Sequence, residues 1–109
     1  MTLETMTPDP AWDPDDHAGA VGTLAALDDE FVFLVWGDDG CKDCRARLPG
    51  FAAALEAAGV PDERVLQYAV KRLPEGKKRG PRVEEYGIGR IPTVVVERDG
   101  EEVARFVEE

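Results

Sequence analysis

The chain has 109 residues, 43% of them hydrophobic, and a net charge of −10 at pH 7, so it is long enough for one compact domain with a modest core. The negative charge argues against nucleic acid as a partner, because a phosphate backbone repels an acidic surface. No run of 18 apolar residues is present, and residues 1–16 have neither the basic start nor the apolar middle of a secretory signal, so we expect no membrane association and a cytoplasmic location.

Residues 1–16 contain three prolines among acidic side chains, which is typical of a flexible, irregular segment. We therefore place the folded domain at residues 17–109. Asp16 is in position to cap a helix whose apolar positions extend to Leu27.

The apolar run FVFLVW at residues 31–36 predicts a strand that is buried on both faces. A GDDG loop follows, and residues 41–58 place alanine, leucine and phenylalanine at helical spacing. Gly59 is in the position of a helix-ending glycine, and Pro49 inside the helix predicts a kink and a lost hydrogen bond. Residues 65–70 predict a second strand.

The last third of the chain predicts a loop, a short helix and a hairpin. The loop is expected at residues 71–81 and the helix at residues 82–86. Asp99-Gly100 is a strong hairpin signal between two further strands, which are expected at residues 92–97 and 103–107. Because a strand–helix–strand crossover makes the first two strands parallel, the predicted fold is α/β, a mixed sheet of about four strands with helices on its faces.

Cys41 and Cys44 are the two cysteines of the chain and form a CxxC motif between the first strand and the following helix. The free N–H groups and the dipole at a helix N-terminus favour an anion, so we expect the Cys41 thiolate to be stabilised and to act as the nucleophile. Lys42 favours that thiolate and Asp43 opposes it, so these two residues are expected to tune its reactivity. Cys44 lies one helical turn further on, where it can resolve a mixed disulfide.

The segment FLVWGDDGCKDC, followed by a helix and later by YGIGRIPTVVVERDGEEVARFV, resembles the thioredoxin family over about residues 17–108. The resemblance implies a thioredoxin-like fold and a protein disulfide oxidoreductase that needs no cofactor of its own. It also implies that Pro92 is a cis-proline against the Cys41 sulfur, and that the Ile91 backbone pairs with an extended substrate segment. The implied partners are a disulfide-containing protein substrate and a separate reductase that donates electrons.

The sequence departs from the family pattern within the motif and beside it. Gly40 stands where thioredoxins often have Trp, and Lys42-Asp43 replaces the frequent Gly-Pro. The family often buries an Asp in the preceding strand as a proton acceptor, whereas the first predicted strand here has no carboxylate. Tyr68 and Asp39 are the remaining candidates for that role.

Thioredoxins usually end with a helix on the sheet, whereas this sequence ends directly after the last predicted strand. One face of the sheet is therefore expected to be partly uncovered. An uncovered apolar face either binds a partner or makes the protein prone to aggregate. A truncation or a homodimer is favoured as the explanation over an N-terminal segment folded across the face.

The acidic residues are spread along the whole chain, whereas lysine occurs at only four positions. An acidic surface stays hydrated when salt screens its charges. The composition is therefore typical of halophilic adaptation, with an ordinary acidic protein as the alternative.

Two functions remain open at this point. The first is reduction of protein disulfides through Cys41 and Cys44, and the second is a non-enzymatic thioredoxin-like adaptor or dimerisation module. In the second, the cysteines are either vestigial or bind a metal that two chains share through four cysteines, because zinc and iron–sulfur sites usually need four ligands and no metal site is predicted within one chain. A redox pair predicts a shielded Cys44 beside an exposed Cys41, whereas a shared metal site predicts that both sulfurs face outward.

Overall fold

Four strands form one mixed sheet, which confirms the predicted fold class and is consistent with a thioredoxin-like α/β fold. The computed structural model describes residues 3–27, 30–72 and 78–107 of the chain. In chain order the strands are β1 (Phe31–Gly37), β2 (Val65–Ala69), β3 (Lys71–Arg72), β4 (Lys78–Arg79), β5 (Thr93–Arg98) and β6 (Glu101–Val107). The main sheet has the order β2-β1-β5-β6, with β1 parallel to β2 and the other neighbours antiparallel. The two outer strands are therefore β2 and β6.

The helices are α1 (Ala18–Ala25), α2 (Lys42–Ala57) and α3 (Val83–Tyr86). Helix α2 continues through Pro49, which has no N–H and so removes one hydrogen bond from the helix. It ends at the predicted glycine, because Gly59 has a φ of 77° and the Val60 N–H donates to the Leu55 carbonyl at 3.0 Å. These are the features of a Schellman cap.

Alternate residues of β1 point to opposite faces of the sheet, and both faces are covered where β1 runs. On one face the ring of Phe33 meets the ring of Phe51 from α2, with centroids 6.2 Å apart. On the other face Trp36 is fully buried and packs on the ring of Tyr86 from α3. The continuous apolar run of β1 is thereby explained, since a strand buried on both faces needs no polar alternation.

The N-terminal segment differs from the irregular lead-in that its composition predicts. Residues Glu4–Met6 form a short 3-10 helix, and Leu3 and Met6 are buried in the core of the domain. Removing two large apolar side chains from water favours this packing over a free segment. The described part of the segment therefore belongs to the domain.

Helix α1 begins differently from the prediction that Asp16 caps it. Residues Pro14–His17 form a 3-10 helix ahead of α1, and the carboxylate of Asp13 accepts a hydrogen bond from the Asp15 N–H at 2.9 Å. Asp16 lies inside this turn, Asp13 caps the turn, and His17, the N-cap residue of α1, makes no side-chain capping hydrogen bond. Proline at the first position of the turn fits this arrangement because its missing N–H has no partner there.

The predicted hairpin joins β5 to β6. Asp99 and Gly100 both have positive φ, 55° and 81°, as the two central residues of a type I′ turn require. Strand β6 begins two residues before its predicted start. In the loop predicted at residues 71–81, β3 and β4 pair antiparallel, and residues 73–77 lie outside the described residues.

Candidate active site

A tight turn carries the chain from the end of β1 to the start of α2. The Asp38 side chain accepts a hydrogen bond from the Gly40 N–H at 3.0 Å, and the Asp38 carbonyl accepts one from the Cys41 N–H at 2.9 Å. Cys41 is the N-cap residue, with extended backbone, and its carbonyl accepts the first helical hydrogen bond from Arg45 at 3.0 Å. Cys41 therefore stands at the N-terminus of α2, where the unpaired N–H groups of a helix favour negative charge.

The two cysteines are both free thiols and differ in exposure. Cys41 is partly exposed, whereas Cys44 is 0% exposed. This is the asymmetry that a redox pair predicts. A metal site shared between chains would need the Cys44 sulfur at the surface, which this arrangement does not provide.

Burial determines the acid–base behaviour of Cys44. It raises the pKa of the thiol from 9.0 to about 12, and a hydrogen bond and the charge of Cys41 act in the same direction. The Asp38 backbone N–H donates to the Cys44 sulfur at 3.4 Å and partly opposes the rise. Cys44 is consequently a protonated thiol in the reduced protein at neutral pH.

Gly37, the last residue of β1, leaves the space in which Cys44 packs. A Cβ atom at this position would lie 3.5 Å from the Cys44 sulfur and 2.9 Å from the Leu48 side chain. The second distance is shorter than real Cβ contacts, so any larger residue would force Leu48 to move. The sequence predicts only a loop at Gly37, because the side chains that need the space there, Cys44 and Leu48, come from the next element.

Ile91 and Pro92 lie at the same end of the sheet as the two cysteines. The antiparallel register of β1 and β5 pairs Trp36 with Thr93, so the residue before Thr93 comes opposite Gly37. The Ile91–Pro92 peptide bond is cis, and both side chains are buried. The register thus places Pro92 opposite Gly37, and the absence of a side chain at Gly37 makes room for Cys44.

The two residues between the cysteines are exposed. Lys42 and Asp43 face solvent in the first turn of α2. Neither side chain is buried against the cysteines. Their influence is therefore expected to be electrostatic and to weaken with added salt.

The two proton acceptors suggested by the sequence have other partners. The Asp39 carboxylate accepts hydrogen bonds from the Glu4 N–H at 3.1 Å and from the Thr5 N–H at 2.9 Å. Burial acts to raise the pKa of Asp39, and these hydrogen bonds outweigh it, so the pKa is lowered. The Tyr68 hydroxyl accepts a hydrogen bond from the Arg82 guanidinium at 2.9 Å. Asp39 thus fastens the N-terminal segment to the active-site loop, which no local signal in the sequence indicates.

Trp36 lies directly before Gly37 and is held in one place. Its indole N–H donates to the Pro81 carbonyl at 2.9 Å, and its ring stacks on Tyr68 with centroids 5.1 Å apart. A buried, fixed indole next to the active-site turn is suited to report changes at the cysteines by fluorescence.

The sequence matches no protein-family model, and no curated protein is similar to it at a significant level. Within residues 3–27, 30–72 and 78–107, no helix is long and apolar enough to cross a membrane. Among the same residues, no three His, Cys, Asp or Glu side chains form a group that could hold a metal ion. The thioredoxin resemblance therefore stays a prediction from the segments that carry it.

Proposed function

We propose that the protein is a thiol–disulfide oxidoreductase of the thioredoxin type, which reduces protein disulfides through Cys41 and Cys44. The observation that carries the proposal is the pairing of a partly exposed Cys41 at a helix N-terminus with a fully buried Cys44 one turn later. A nucleophile must reach the substrate, whereas a resolving thiol must reach only the nucleophile.

In the first step the Cys41 thiolate attacks one sulfur of the substrate disulfide. The substrate S–S bond breaks, a Cys41–substrate S–S bond forms, and the second substrate sulfur leaves as a thiolate that takes a proton from water. The helix N-terminus stabilises the attacking thiolate. Lys42 favours it and Asp43 opposes it through charge alone.

In the second step Cys44 loses its proton and attacks the Cys41 sulfur. The mixed disulfide breaks, the Cys41–Cys44 disulfide forms, and the remaining substrate sulfur leaves as a thiol after taking a proton. The substrate gains two electrons, and the dithiol loses them. Once Cys41 is bound in the mixed disulfide it no longer contributes charge, so one cause of the raised Cys44 pKa disappears when Cys44 must ionise.

A separate dithiol reductase of the cell returns the Cys41–Cys44 disulfide to the dithiol. That donor, the disulfide-containing protein substrate and a cytoplasmic location belong to the proposal. The position of Ile91 and Pro92 at the cysteine end of the sheet supports a substrate segment passing there, as the resemblance implies.

One observation favours a second function, an adaptor or dimerisation module. Phe106 of the outer strand β6 is 65% exposed, and Val103 of the same strand is 55% exposed. Contiguous exposed apolar side chains mark interaction surfaces. In this reading the sheet edge binds a partner or a second copy, and the cysteines carry no electron transfer.

The reduction potential of the Cys41–Cys44 couple distinguishes the two functions. The protein is equilibrated in defined dithiol–disulfide buffers and Trp36 fluorescence is recorded, with Trp12→Phe present so that one indole reports. A two-electron transition near the thioredoxin value of about −270 mV supports a reductase, and one near about −120 mV indicates an oxidant or isomerase. The Cys41→Ser and Cys44→Ser variants serve as controls and should show no transition. If the parent protein forms no internal disulfide at any buffer ratio, the redox proposal is wrong and the adaptor becomes the better account.

A further inference from the structure

Leu3 lies beside the buried cysteine, although it is far from it in the chain. Its side chain is 2% exposed, and its Cδ1 atom lies 3.4 Å from the point where a Cβ atom of Gly37 would stand. The Cys44 sulfur lies 3.5 Å from the same point, and the Leu48 side chain lies 2.9 Å from it. Leu3, Cys44 and Leu48 belong to one buried cluster, so Leu3 forms part of the wall around the Cys44 sulfur.

The segment Leu3–Met6, which we call the N-terminal clasp, is fastened to the active-site loop by one side chain. The Asp39 carboxylate accepts hydrogen bonds from the Thr5 N–H at 2.9 Å, from the Thr5 hydroxyl at 3.0 Å and from the Glu4 N–H at 3.1 Å. Thr5 is buried as a result. Asp39 stands two residues before Cys41, so the loop that presents the nucleophile also holds the clasp.

The walls around Cys44 differ in how firmly they are built. Gly37 and Leu48 belong to the strand–turn–helix unit that also carries Cys44, so they stay in place as long as that unit is folded. Leu3 instead leads into a separate 3-10 helix of three residues. Small elements with few contacts open at a lower free energy than the core of a domain. Leu3 is therefore the part of the wall that can move away while the site stays folded.

A closed clasp affects the two chemical steps unequally. Cys41 is partly exposed, so its attack on a substrate disulfide does not require the clasp to move. Cys44 must lose its proton before it attacks the mixed disulfide, and burial is the largest cause of its raised pKa. A covered Cys44 consequently attacks slowly, and the substrate stays bound to Cys41 for longer.

We propose that the N-terminal clasp slows the second step, because Leu3 covers the Cys44 sulfur and Asp39 holds Leu3 in place. The inference rests on the proposed function, and it adds two positioning residues, Leu3 and Asp39, which act through Cys44 and do not touch the substrate. While the clasp is closed, the mixed disulfide persists. When the clasp opens, Cys44 attacks and the reduced substrate leaves.

The first test measures the reactivity of Cys44 without any redox step. In the Cys41→Ser background Cys44 is the single cysteine of the chain, and its alkylation by iodoacetamide, a small uncharged reagent, is followed at pH 8 by mass spectrometry. Each unit by which the pKa of Cys44 falls should raise this rate about threefold, because the thiolate fraction rises about tenfold and the intrinsic nucleophilicity falls about threefold. Leu3→Ala should therefore raise the rate at least about threefold. Leu3→Met fills the same space and should keep the parent rate.

Two further variants separate the clasp from general loosening of the protein. Leu55→Ala is the matched control, because Leu55 is 4% exposed on the same helix and lies roughly 16 Å beyond Cys44 at 1.5 Å per residue. It should lower stability to urea about as much as Leu3→Ala, yet leave the alkylation rate unchanged. Asp39→Asn weakens the fastening and leaves Leu3 intact, and it should raise the alkylation rate.

The second test follows the two chemical steps in the protein with both cysteines. The reduced protein reacts in a stopped-flow instrument with an aromatic disulfide that releases a coloured thiolate at each step. Leu3→Ala should accelerate the second release at least about threefold and leave the first unchanged, whereas Leu55→Ala should change neither.

The outcomes distinguish the inference from the proposed function. Equal alkylation rates for Leu3→Ala and Leu55→Ala, with both thiolate releases still observed, overturn the inference and leave the redox function in place. Equal acceleration of both releases by Leu3→Ala also overturns it, and an unchanged rate for Asp39→Asn removes the role of Asp39. If the parent protein releases no thiolate at all, the proposed function is wrong and the effect on the second step falls with it.

Discussion

The acid–base state of Cys44 gives the sharpest prediction about the proposed chemistry. Cys44 is 0% exposed, and burial, with the hydrogen bond and charge of Cys41, raises its pKa from 9.0 to about 12. At pH 7 only about one molecule in 10⁵ would carry the Cys44 thiolate. Attack by Cys44 on the mixed disulfide is therefore expected to be limited by loss of its proton.

The rate of this second step should rise about tenfold per pH unit, or about a thousandfold between pH 6 and pH 9. In the mixed disulfide the hydrogen bond and charge of Cys41 no longer raise the Cys44 pKa, whereas burial, the largest cause, remains. The rise should therefore be log-linear without a plateau. The Asp38→Asn variant should be faster at every pH, since the Asp38 charge contributes to the raised pKa and asparagine keeps the side-chain oxygen that accepts the Gly40 N–H.

The assay is stopped-flow reaction of the reduced protein with an aromatic disulfide that releases a coloured thiolate at each step. The first release reports attack by Cys41, and the second reports attack by Cys44. Cys44→Ser provides the control, because it should show the first release alone. A second release whose rate is constant between pH 6 and pH 9 would refute the reasoning, since it would mean that a group of the protein removes the Cys44 proton.

Three further predictions concern stability. Between pH 9 and pH 12 the reduced protein should lose up to about 4 kcal/mol more unfolding free energy than the oxidised protein, because unfolded Cys44 ionises there while folded Cys44 stays protonated. Urea titrations of the two forms measure this difference, since the raised pKa of Tyr86 lowers stability equally in both. Asp39→Asn should lower the free energy of unfolding by about 1–3 kcal/mol at pH 7, because the carboxylate accepts two backbone hydrogen bonds. This difference from the parent should shrink as pH falls below about 4, since a carboxyl group with a lowered pKa stabilises the fold only above that range. Asp43→Asn, at an exposed position, is the control, and an equal loss of stability at both sites would contradict the role of Asp39. Gly80→Ala should lower the free energy of unfolding by about 1–3 kcal/mol in thermal or urea unfolding, because the new Cβ would lie 2.7 Å from a backbone oxygen. The control is Gly89→Ala, whose Cβ would meet nothing within 4 Å, so its stability should be unchanged. Equal stabilities of these two variants would contradict the packing around Gly80.

The sequence alone determined the elements whose signals are local. The apolar run of β1 predicted a strand covered on both faces, because such a strand has no solvent side that requires polar residues. Gly59 predicted the end of α2 and Asp99-Gly100 predicted the last hairpin, since both depend on the positive φ that these residues adopt at low cost. The strand–helix–strand order then predicted the parallel pair β1–β2, so the fold class followed from short-range patterns.

The place of the N-terminal segment was decided by tertiary structure. Its prolines and acids predicted a flexible lead-in, yet Leu3 and Met6 enter the core and Asp39 holds the Glu4 and Thr5 backbone. These contacts join residues about 35 positions apart in the chain. Composition within a short window carries no information about such partners.

The candidate site likewise has features that the sequence alone predicts and features that only the tertiary structure decides. The CxxC spacing and its position between a strand and a helix predicted which residues carry chemistry, because a helix N-terminus favours a thiolate wherever the helix lies. Only the packed structure decided that Cys44 is fully buried, that Gly37 makes room for it, and that Leu3 lies beside it. The burial of Cys44, its pKa shift and the position of Leu3 all depend on side chains that come together from separate elements. The helix dipole and the turn geometry, in contrast, are properties of residues that are neighbours in the chain.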